Sequence, residues 1–571
     1  MRLKVSKSKN SASFYVIKTV YENKKERTVT VEKLGTEAQL KEKYPDRDIY
    51  QWAKDYVAKL NRLEKEGIEP DVIAKFSPSK QIPSNVNVTF NGGYLFLQAI
   101  FYGLKLDVLC KEISKKYKFS FDLTSVLSRL IYARILDPGS KKSCYEFSDF
   151  FIEDRNFSLH HIYRALDVLF NESDFIQSFI YDNSLLLSKR NSSVLFYDCT
   201  NFFFEIEKED DFRKYGFSKE HRPNPIVQMG LFMDGDGVPL AFSINPGNTN
   251  EQLTLKPLEK RIISDFSLSD FIVCTDAGLS SIANRKFNSF SNRFFVTTQS
   301  IKKLKGFLKD WALTVDNWKL VGSDKFFNIN EIDEDVFYDR TFYKERWINE
   351  NGLEQRLIVT YSIKYRNYQR DVRNQQISRA VKVVDSNSKS IDKKGLNDYR
   401  RFIERTASTD CGEIAEHTTF SIDKEKIIKE EMYDGFYGVC TNLDSDIKDI
   451  IEINSRRWEI EESFRIMKSE FKTRPVFLSI PERIQAHFTT CFVSLVIYRI
   501  LEKKLNKKYT CNEIIDKLKK MNFYKTKVDG YIPGYVRDNL TDDLHEAFGF
   551  RTDMEILTTK MMKKIIKKTK S

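Results

Sequence analysis

The chain has 571 residues and a formal net charge of +12, since 93 lysines and arginines outnumber 81 aspartates and glutamates. Its hydrophobic fraction of 41% is enough to give several domains a core each. The basic balance is compatible with a nucleic-acid partner but does not require one. No apolar run of about 18 residues and no apolar leader occurs, so we predict a cytoplasmic protein without membrane contact. Eight cysteines without a C-x-x-C pair argue against a zinc site or a disulfide framework.

The first third of the chain predicts two segments. Residues 12–34 have the alternation of a β-hairpin, and a charged helix is predicted near 50–66. From 92 to 190 apolar residues recur at helical spacing, with a break at 137–140. We therefore predict a hairpin-and-helix segment over 1–90 and an all-α module over 91–190.

Strands and helices alternate over 194–300, and two of the strands end in an acid. The apolar run 194–198 ends in Asp198, and the run 271–276 ends in Asp276. A further aromatic strand is predicted at 202–205, a hairpin at 226–244, helices at 251–266 and 280–287, and a last strand at 293–298. A buried acid needs an ion partner or a cation, because its desolvation is otherwise unfavourable.

This element order allows the two acidic strands to be parallel neighbours in a mixed sheet. Adjacent carboxylates raise each other's proton affinity, so both stay ionised at neutral pH only when divalent cations lie between them.

A third acid is predicted on a later helix over 454–471. Six residues fall along one stripe of this helix at spacings of three and four, namely Arg457, Glu461, Phe464, Arg465, Lys468 and Phe471. Glu461 would complete an all-oxygen set suited to two Mg²⁺ or Mn²⁺ ions. Two rival ligands are Glu205 and Glu462, although Glu462 points about 100° away from Glu461 round the helix. The helix is also compatible with a plain amphipathic surface carrying internal ion pairs.

The motifs over 90–505 together resemble the DDE transposases of bacterial insertion sequences, and in particular the IS-four-like superfamily. They are Phe196-Tyr-Asp198-Cys-Thr200, Phe204-Glu205, Gly216-Phe-Ser-Lys219, Gly230-Leu, Gly247-Asn248-Thr249, Thr275-Asp276-Ala-Gly278 and Arg483-Ile-Gln-Ala-His487. The family signature around the last acid is Tyr-x-x-Arg-x-x-x-Glu-x-x-x-x-x-x-Lys. Arg457, Glu461 and Lys468 match it, whereas Asn454 occupies the Tyr position.

The resemblance implies an α/β fold with a ribonuclease-H-like mixed-sheet core that a β-rich insertion interrupts. The 185 residues between Asp276 and Glu461 exceed what one connection needs, so a folded insertion is predicted there. The expected boundaries are 191–300 for the first part of the core, 301–435 for the insertion, 436–505 for the second part, and 506–571 for a basic helical tail. The insertion contains three tryptophans, and we expect each of them to pack in the insertion's own core rather than to contact DNA. They are Trp311, Trp318 and Trp347.

The resemblance also implies a function. Asp198, Asp276 and Glu461 would be both catalytic residues and metal ligands in an enzyme that cleaves the ends of an insertion sequence and joins them to target DNA. Arg457, Arg465 and Lys468 would bind DNA phosphates, while Asn248 and Thr249 would either cap the next helix or touch phosphate. Trp458 would pack the helix against the sheet.

The implied partners are double-stranded DNA, as terminal inverted repeats and target, and a second copy of the chain in the DNA complex. The expected location is the nucleoid of a bacterial cytoplasm, with residues 1–190 recognising the repeats. Two alternatives remain open: a ribonuclease-H-like nuclease that does not join strands, and a domesticated DNA-binding protein without catalysis.

Overall fold

The computed structural model describes residues 1–8, 11–22, 25–66, 78–79, 81–386, 398–408, 417–526 and 530–571. Cys411 lies outside these ranges. The chain divides into two units, Met1–Val86 with Thr526–Gly530, and Asn87–Lys525 with Tyr531–Ser571.

The first unit contains an antiparallel sheet of three strands and two helices. Its elements are β1 (Arg2–Ser8), β2 (Ser11–Glu22), β3 (Lys25–Thr36), α1 (Glu37–Lys43) and α2 (Ile49–Glu66). The predicted hairpin is the β2–β3 pair, to which β1 adds a third strand. Phe14, Leu40 and Ala53 are buried between the sheet and the helices.

Helices dominate the start of the second unit, as the apolar spacing predicts. They follow a short strand in the order β4 (Thr89–Asn91), α3 (Tyr94–Gly103), α4 (Leu106–Lys116), α5 (Leu123–Leu136), α6 (Lys141–Phe147), α7 (Leu159–Asn171) and α8 (Ser173–Leu187). Asp122 caps α5 by accepting hydrogen bonds from the amides of Thr124 and Ser125. Almost every residue of α5 is buried, so this helix is the centre of the helical part.

The next segment builds the centre of a mixed sheet. Its elements are β5 (Val194–Phe203), β6 (Ile226–Asp234), β7 (Pro239–Pro246), α9 (Glu251–Asp265), β8 (Phe271–Thr275), α10 (Ile282–Phe287) and β9 (Arg293–Gln299). The predicted parallel pairing of the two acidic strands is confirmed, because β5 pairs in parallel with β8. The prediction of a separate aromatic strand at 202–205 is wrong. One strand runs through to Phe203, and Asp198 therefore lies within it rather than at its end.

Residues 301–441 contain both strands and helices. They are α11 (Gly306–Leu313), β10 (Trp318–Leu320), β11 (Phe326–Phe327), β12 (Phe342–Glu350), β13 (Leu353–Tyr361), α12 (Ile363–Asp385), β14 (Ile403–Ser408), β15 (His417–Ile422), α13 (Lys424–Glu431) and β16 (Phe436–Thr441). Strand β16 pairs with both β13 and β9, so the strands β10 to β13 extend the central sheet. The resulting ten-stranded order is β11-β10-β12-β13-β16-β9-β8-β5-β6-β7. Trp318 is fully buried, whereas Trp347 is 47% exposed.

The last part of the chain is mainly helical. Its elements are α14 (Ile447–Ser455), α15 (Trp458–Arg465), α16 (Pro481–Lys504), α17 (Cys511–Lys520), β17 (Asn522–Thr526), β18 (Gly530–Pro533), α18 (Asn539–Phe548), β19 (Leu557–Thr558) and α19 (Thr559–Thr569). Helix α16 is long and apolar enough to cross a membrane, but 94% of its apolar window is buried inside the protein.

Two features of this part differ from the sequence predictions. The single helix expected over 454–471 is interrupted at Arg456 and Arg457, and it ends in a π-helical turn, Ile466–Glu470, that contains Lys468. The segment over 506–571, predicted as a basic helical tail, also includes strands. Its last helix, α19, packs on α3, where Gln98 donates a buried hydrogen bond of 2.9 Å to Thr569. Because the apolar face of α19 is buried, only its opposite face carries the exposed lysines.

Candidate functional site

Asp198 lies within β5, and Asp276 is the residue that directly follows the neighbouring parallel strand β8. The parallel register pairs Phe196 with Cys274, and each aspartate follows two residues later. Burial raises the pKa of Asp198 to about 6, and the charge of Asp276 adds to the rise. The structure therefore brings together two of the three predicted acids.

The backbone around Asp276 holds this carboxylate in place. The amide of Leu279 donates a hydrogen bond of 3.0 Å to its Oδ1, and the hydroxyl of Thr297 donates to its carbonyl oxygen. A Cβ at Gly278 would lie 3.3 and 3.4 Å from the two carboxylate oxygens. A side chain at position 278 would therefore require the carboxylate to shift by a few tenths of an ångström.

Glu461 lies apart from the other two acids. Its side chain is 65% exposed, and its Oε1 is 3.8 Å from Arg457 Nη2. Among the described residues, Glu461 belongs to no group of three side chains whose ligand atoms all lie within 4.8 Å of one another. The ligand atoms of the three predicted acids therefore do not all lie within 4.8 Å of one another, and Glu461 is the exposed member of the set.

The rival ligands occupy other environments. Glu462 accepts two hydrogen bonds of 2.7 Å from Arg465, and these bonds lower its pKa. Arg465 also donates a hydrogen bond to Glu470. The guanidinium predicted to bind DNA therefore already contacts two carboxylates. Glu205 is exposed, in the bend after β5.

Arg457 lies beside the aspartate pair. Its Nη1 donates a hydrogen bond of 2.9 Å to Thr298 Oγ1. Burial opposes its charge, but Tyr437 and both aspartates raise the pKa of Arg457 above its usual value. Only 18% of the side chain is exposed, so this cation belongs to the site and not to the open surface.

Lys219 is a site residue that the sequence reasoning did not select, although it ends the Gly216-Phe-Ser-Lys219 motif. Its ammonium donates to the carbonyl of Cys199, next to Asp198, and lies 3.6 Å from Glu251. Burial opposes the charge, yet Asp198 and then Glu251 raise the pKa of Lys219. A lysine 21 residues from its acid leaves no periodic signal, so the motif itself was the one available indication.

Lys468 reaches the same region from the π-helical turn. Burial, reinforced by Lys219, lowers the pKa of Lys468 to about 8. Its ammonium is 3.3 Å from Glu220, which also pairs with Arg474. Glu220 therefore links the loop that carries Lys219 to the segment after α15.

Three further predictions concern helix capping by Asn248 and Thr249 and the packing of Trp458. The N-cap of α9 is Asn250, which accepts from the amide of Gln252 at 3.0 Å, so capping by Asn248 or Thr249 is wrong. These two residues lie in the turn before the cap, with Asn248 exposed. Packing of Trp458 against the sheet is also wrong, because its side chain is 58% exposed. Helix α15 buries Ile460 and Phe464 instead, which leaves Trp458 on the exposed face with Glu461.

The chemistry of the aspartate pair fits a divalent cation. Carboxylate oxygens are the ligands that Mg²⁺ and Mn²⁺ prefer, and positive charge between two acids relieves the repulsion that raises the pKa of Asp198. Asp198 and Asp276 can both contribute, and Glu461 is the acid on the adjacent helix.

A second acidic group does not fit a metal. Asp542, His545 and Asp553 have ligand atoms within 4.8 Å of one another. However, His545 Nε2 accepts the amide hydrogen of Thr552 at 3.1 Å, so the proton of the neutral ring lies on Nδ1. Arg551 pairs with both aspartates, at 2.8 and 2.5 Å. The group is an ion-pair network.

Comparison with known proteins relates this site to a family. No curated protein matches the chain. A solved structure, the cryo-EM structure of a piggyBac transposase synaptic complex with hairpin DNA, is similar with a TM-score of 0.36 and 10% identity, over 85% of this chain and 87% of that chain. The family model described as "Transposase DDE domain" matches residues 190–497, which is more than half of the chain and includes Asp198, Asp276 and Glu461. This protein therefore belongs to the transposase DDE domain family.

Proposed function

We propose that the protein is a DNA transposase of the IS-four-like type, which cleaves the ends of its element and joins them to target DNA. The observation that carries the proposal is the parallel pairing of β5, which contains Asp198, with β8, which Asp276 directly follows, inside the matched region. The order β7-β6-β5-β8-β9, with β5, β8 and β9 parallel, supports the ribonuclease-H-like core that the resemblance implies.

Asp198, Asp276 and Glu461 would hold two Mg²⁺ or Mn²⁺ ions. In phosphoryl transfer, two such ions activate the attacking oxygen and stabilise the leaving oxygen. The exposed side chain of Glu461 is not fixed by packing, so the helix can present it to the pair.

The cations around the pair have two tasks in this proposal. Lys219 and Arg457 both lower the pKa of Asp198, and so favour the ionised form that a metal needs. Their charge also attracts the phosphodiester that reacts, as does Lys468 beside them. Residues 1–190 would recognise terminal repeats, two copies of the chain would join two ends, and the protein would act on the nucleoid of a bacterial cytoplasm.

One assay tests the function. The protein is incubated with Mg²⁺, a labelled DNA fragment that carries the sequences flanking its own gene, and a supercoiled plasmid target. Cleavage at the flanking ends and their covalent joining to the plasmid are expected, and Asp276→Asn abolishes both products.

The alternatives give other patterns. A nuclease would cut DNA that lacks the flanking sequences and would not join strands. A DNA-binding protein without catalysis would retard the labelled fragment without cutting it. Either pattern contradicts the proposal.

A further inference from the structure

A basic pocket lies among α5, α6, α16 and the segment before α16. Its volume is about 100 Å³, and its charged or titratable lining consists of Arg134, Lys141, Lys142 and His487. The remaining lining comes from Gly139, Ser140, Tyr163 and residues 475–478, and no acid lines it. We name this cavity the Lys141 pocket.

The Lys141 ammonium is buried without an acidic partner. The residue is 5% exposed, and its Nζ lies 3.1 Å from His487 Nδ1. On its other side, His487 Nε2 is 3.1 Å from the carbonyl of Thr473, which can only accept, so Nε2 carries the proton. The neutral ring thus accepts one of the three ammonium hydrogens at Nδ1. No acid is among the groups that act on Lys141, so no ion pair in the described part of the chain uses the other two hydrogens.

Arg134 adds a second buried cation. It is 3% exposed, and its terminal nitrogens donate to the carbonyls of Phe471, Lys472 and Gly139 at 3.0 to 3.3 Å. Its Nε is buried without a hydrogen-bond partner within the described residues, and the same holds for Thr473 Oγ1. Burial and then the charge of Arg134 lower the pKa of Lys141 to about 8. Two buried cations with unused donors and no acid are unfavourable unless an anion accompanies them.

The size of the cavity limits the class of anion. It holds the volume of about three water molecules, which suits a single tetrahedral group. Four oxygens around one centre can accept from several convergent N–H groups at once. We propose that the Lys141 pocket binds a phosphate group, either a backbone phosphate of DNA or free inorganic phosphate.

The position of the pocket favours a link to the aspartate pair. Thr473 and the carbonyls bound by Arg134 follow the turn that carries Lys468, and Arg474 next to them pairs with Glu220. A phosphate held here would therefore touch the segment that connects to the loop of Lys219. The DNA source rests on the proposed function, whereas binding of inorganic phosphate does not.

The first test measures thermal stability in EDTA at pH 7, with inorganic phosphate against chloride at equal ionic strength. For the wild type, phosphate should raise Tm in proportion to the logarithm of its concentration above Kd, by on the order of 2 °C at ten times its Kd. Lys141→Met should lose this shift, while Lys111→Met, a change at an exposed lysine of α4, should keep it. A shift that Lys141→Met retains overturns the proposal.

Calorimetric titration of the wild type with phosphate tests the pocket even if the Lys141→Met variant does not fold. One saturable site is expected, and the absence of saturation overturns the proposal without reference to any variant. Lys141→Arg keeps the charge and should keep a measurable phosphate shift.

The second test separates the two sources of phosphate in the Asp276→Asn background, where no strand is cut. If the pocket takes a DNA phosphate, Lys141→Met reduces the slope of log Kd against log salt by about 1, and phosphate competes with a short duplex. If DNA binding is unchanged while the phosphate shift is lost, the pocket takes the free anion. Failure of strand joining with an intact phosphate shift would contradict only the proposed function.

Discussion

Asp198, within β5, and Asp276, directly after the parallel strand β8, each lie two residues beyond the paired Phe196 and Cys274. The two aspartates are 78 residues apart in the chain, and the strand pairing places them in the same site. The repulsion between their charges contributes to the raised pKa of Asp198, which makes the pair sensitive to pH and to cations.

The pH dependence of stability should reveal, in the absence of metal, the burial and the repulsion that together raise the pKa of Asp198. Asp198 has a folded pKa of about 6 against an ordinary value of 3.8, so the folded chain binds the proton more tightly than the unfolded chain. Its stabilising contribution is complete below pH 4 and is lost as pH rises through 6. In EDTA, Asp198→Asn should gain up to about 3 kcal/mol relative to the wild type between pH 4 and pH 7.5. Urea denaturation across this range measures the gain, and a difference that stays constant with pH contradicts it.

Lys219 should set the pH at which the folded protein loses the stabilising contribution of protonated Asp198. Its charge is the largest influence that lowers the pKa of Asp198. Lys219→Met should therefore move the transition to higher pH, and Lys219→Arg should restore it. The measurement is the same urea series in EDTA, and an unmoved transition would show that Lys219 does not act on Asp198.

Glu461 and its neighbour Glu462 provide a matched pair. Glu461→Gln should reduce end cleavage at least about 100-fold, since a metal ligand is lost, with little effect on stability at an exposed side chain. Glu462→Gln should keep cleavage but lose about 0.5–1 kcal/mol of stability, because its bonds to Arg465 are partly exposed. Cleavage assays and urea denaturation of both variants distinguish the roles, and the reverse pattern would assign the metal to Glu462.

Gly278 tests how tightly Asp276 must be placed. The Cβ of Gly278→Ala would lie 3.3 Å from the carboxylate and displace it by a few tenths of an ångström. Cleavage should fall by about 10-fold or more, because catalysis depends on ligand position. Gly306→Ala is the control, since a Cβ there has no neighbour within 4 Å. Equal activity of the two variants would mean that the carboxylate tolerates the shift.

Two tryptophans should differ sharply in their effect on stability. Trp458 is 58% exposed, so Trp458→Ala should change the free energy of unfolding by about 0.5 kcal/mol or less. Trp318 is fully buried against Tyr361 and Phe436, so Trp318→Ala should cost about 3–5 kcal/mol. Chemical denaturation measures both, and a large loss for Trp458→Ala would contradict its exposed position.

Part of the fold was predictable because it depends on local patterns. The runs around Phe196 and Val273 are apolar and short, and an intervening helix makes a parallel crossover the favoured connection. The continuation of β5 through Thr200 and Asn201 was not predictable in this way. These polar residues are buried, and Asn201 is satisfied by the distant carbonyl of Phe217.

The sequence by itself determined the alternation of apolar faces and a connectivity that allows Asp198 and Asp276 to be neighbours, because both follow from spacing and chain order. Only the tertiary structure decided that β13 and β16 extend the same sheet, that the helix breaks before Trp458, that Lys219 lies next to Asp198, and that Lys141 becomes a buried cation. These features depend on contacts between residues distant in the chain, where pairing partners and burial are set by packing rather than by periodicity.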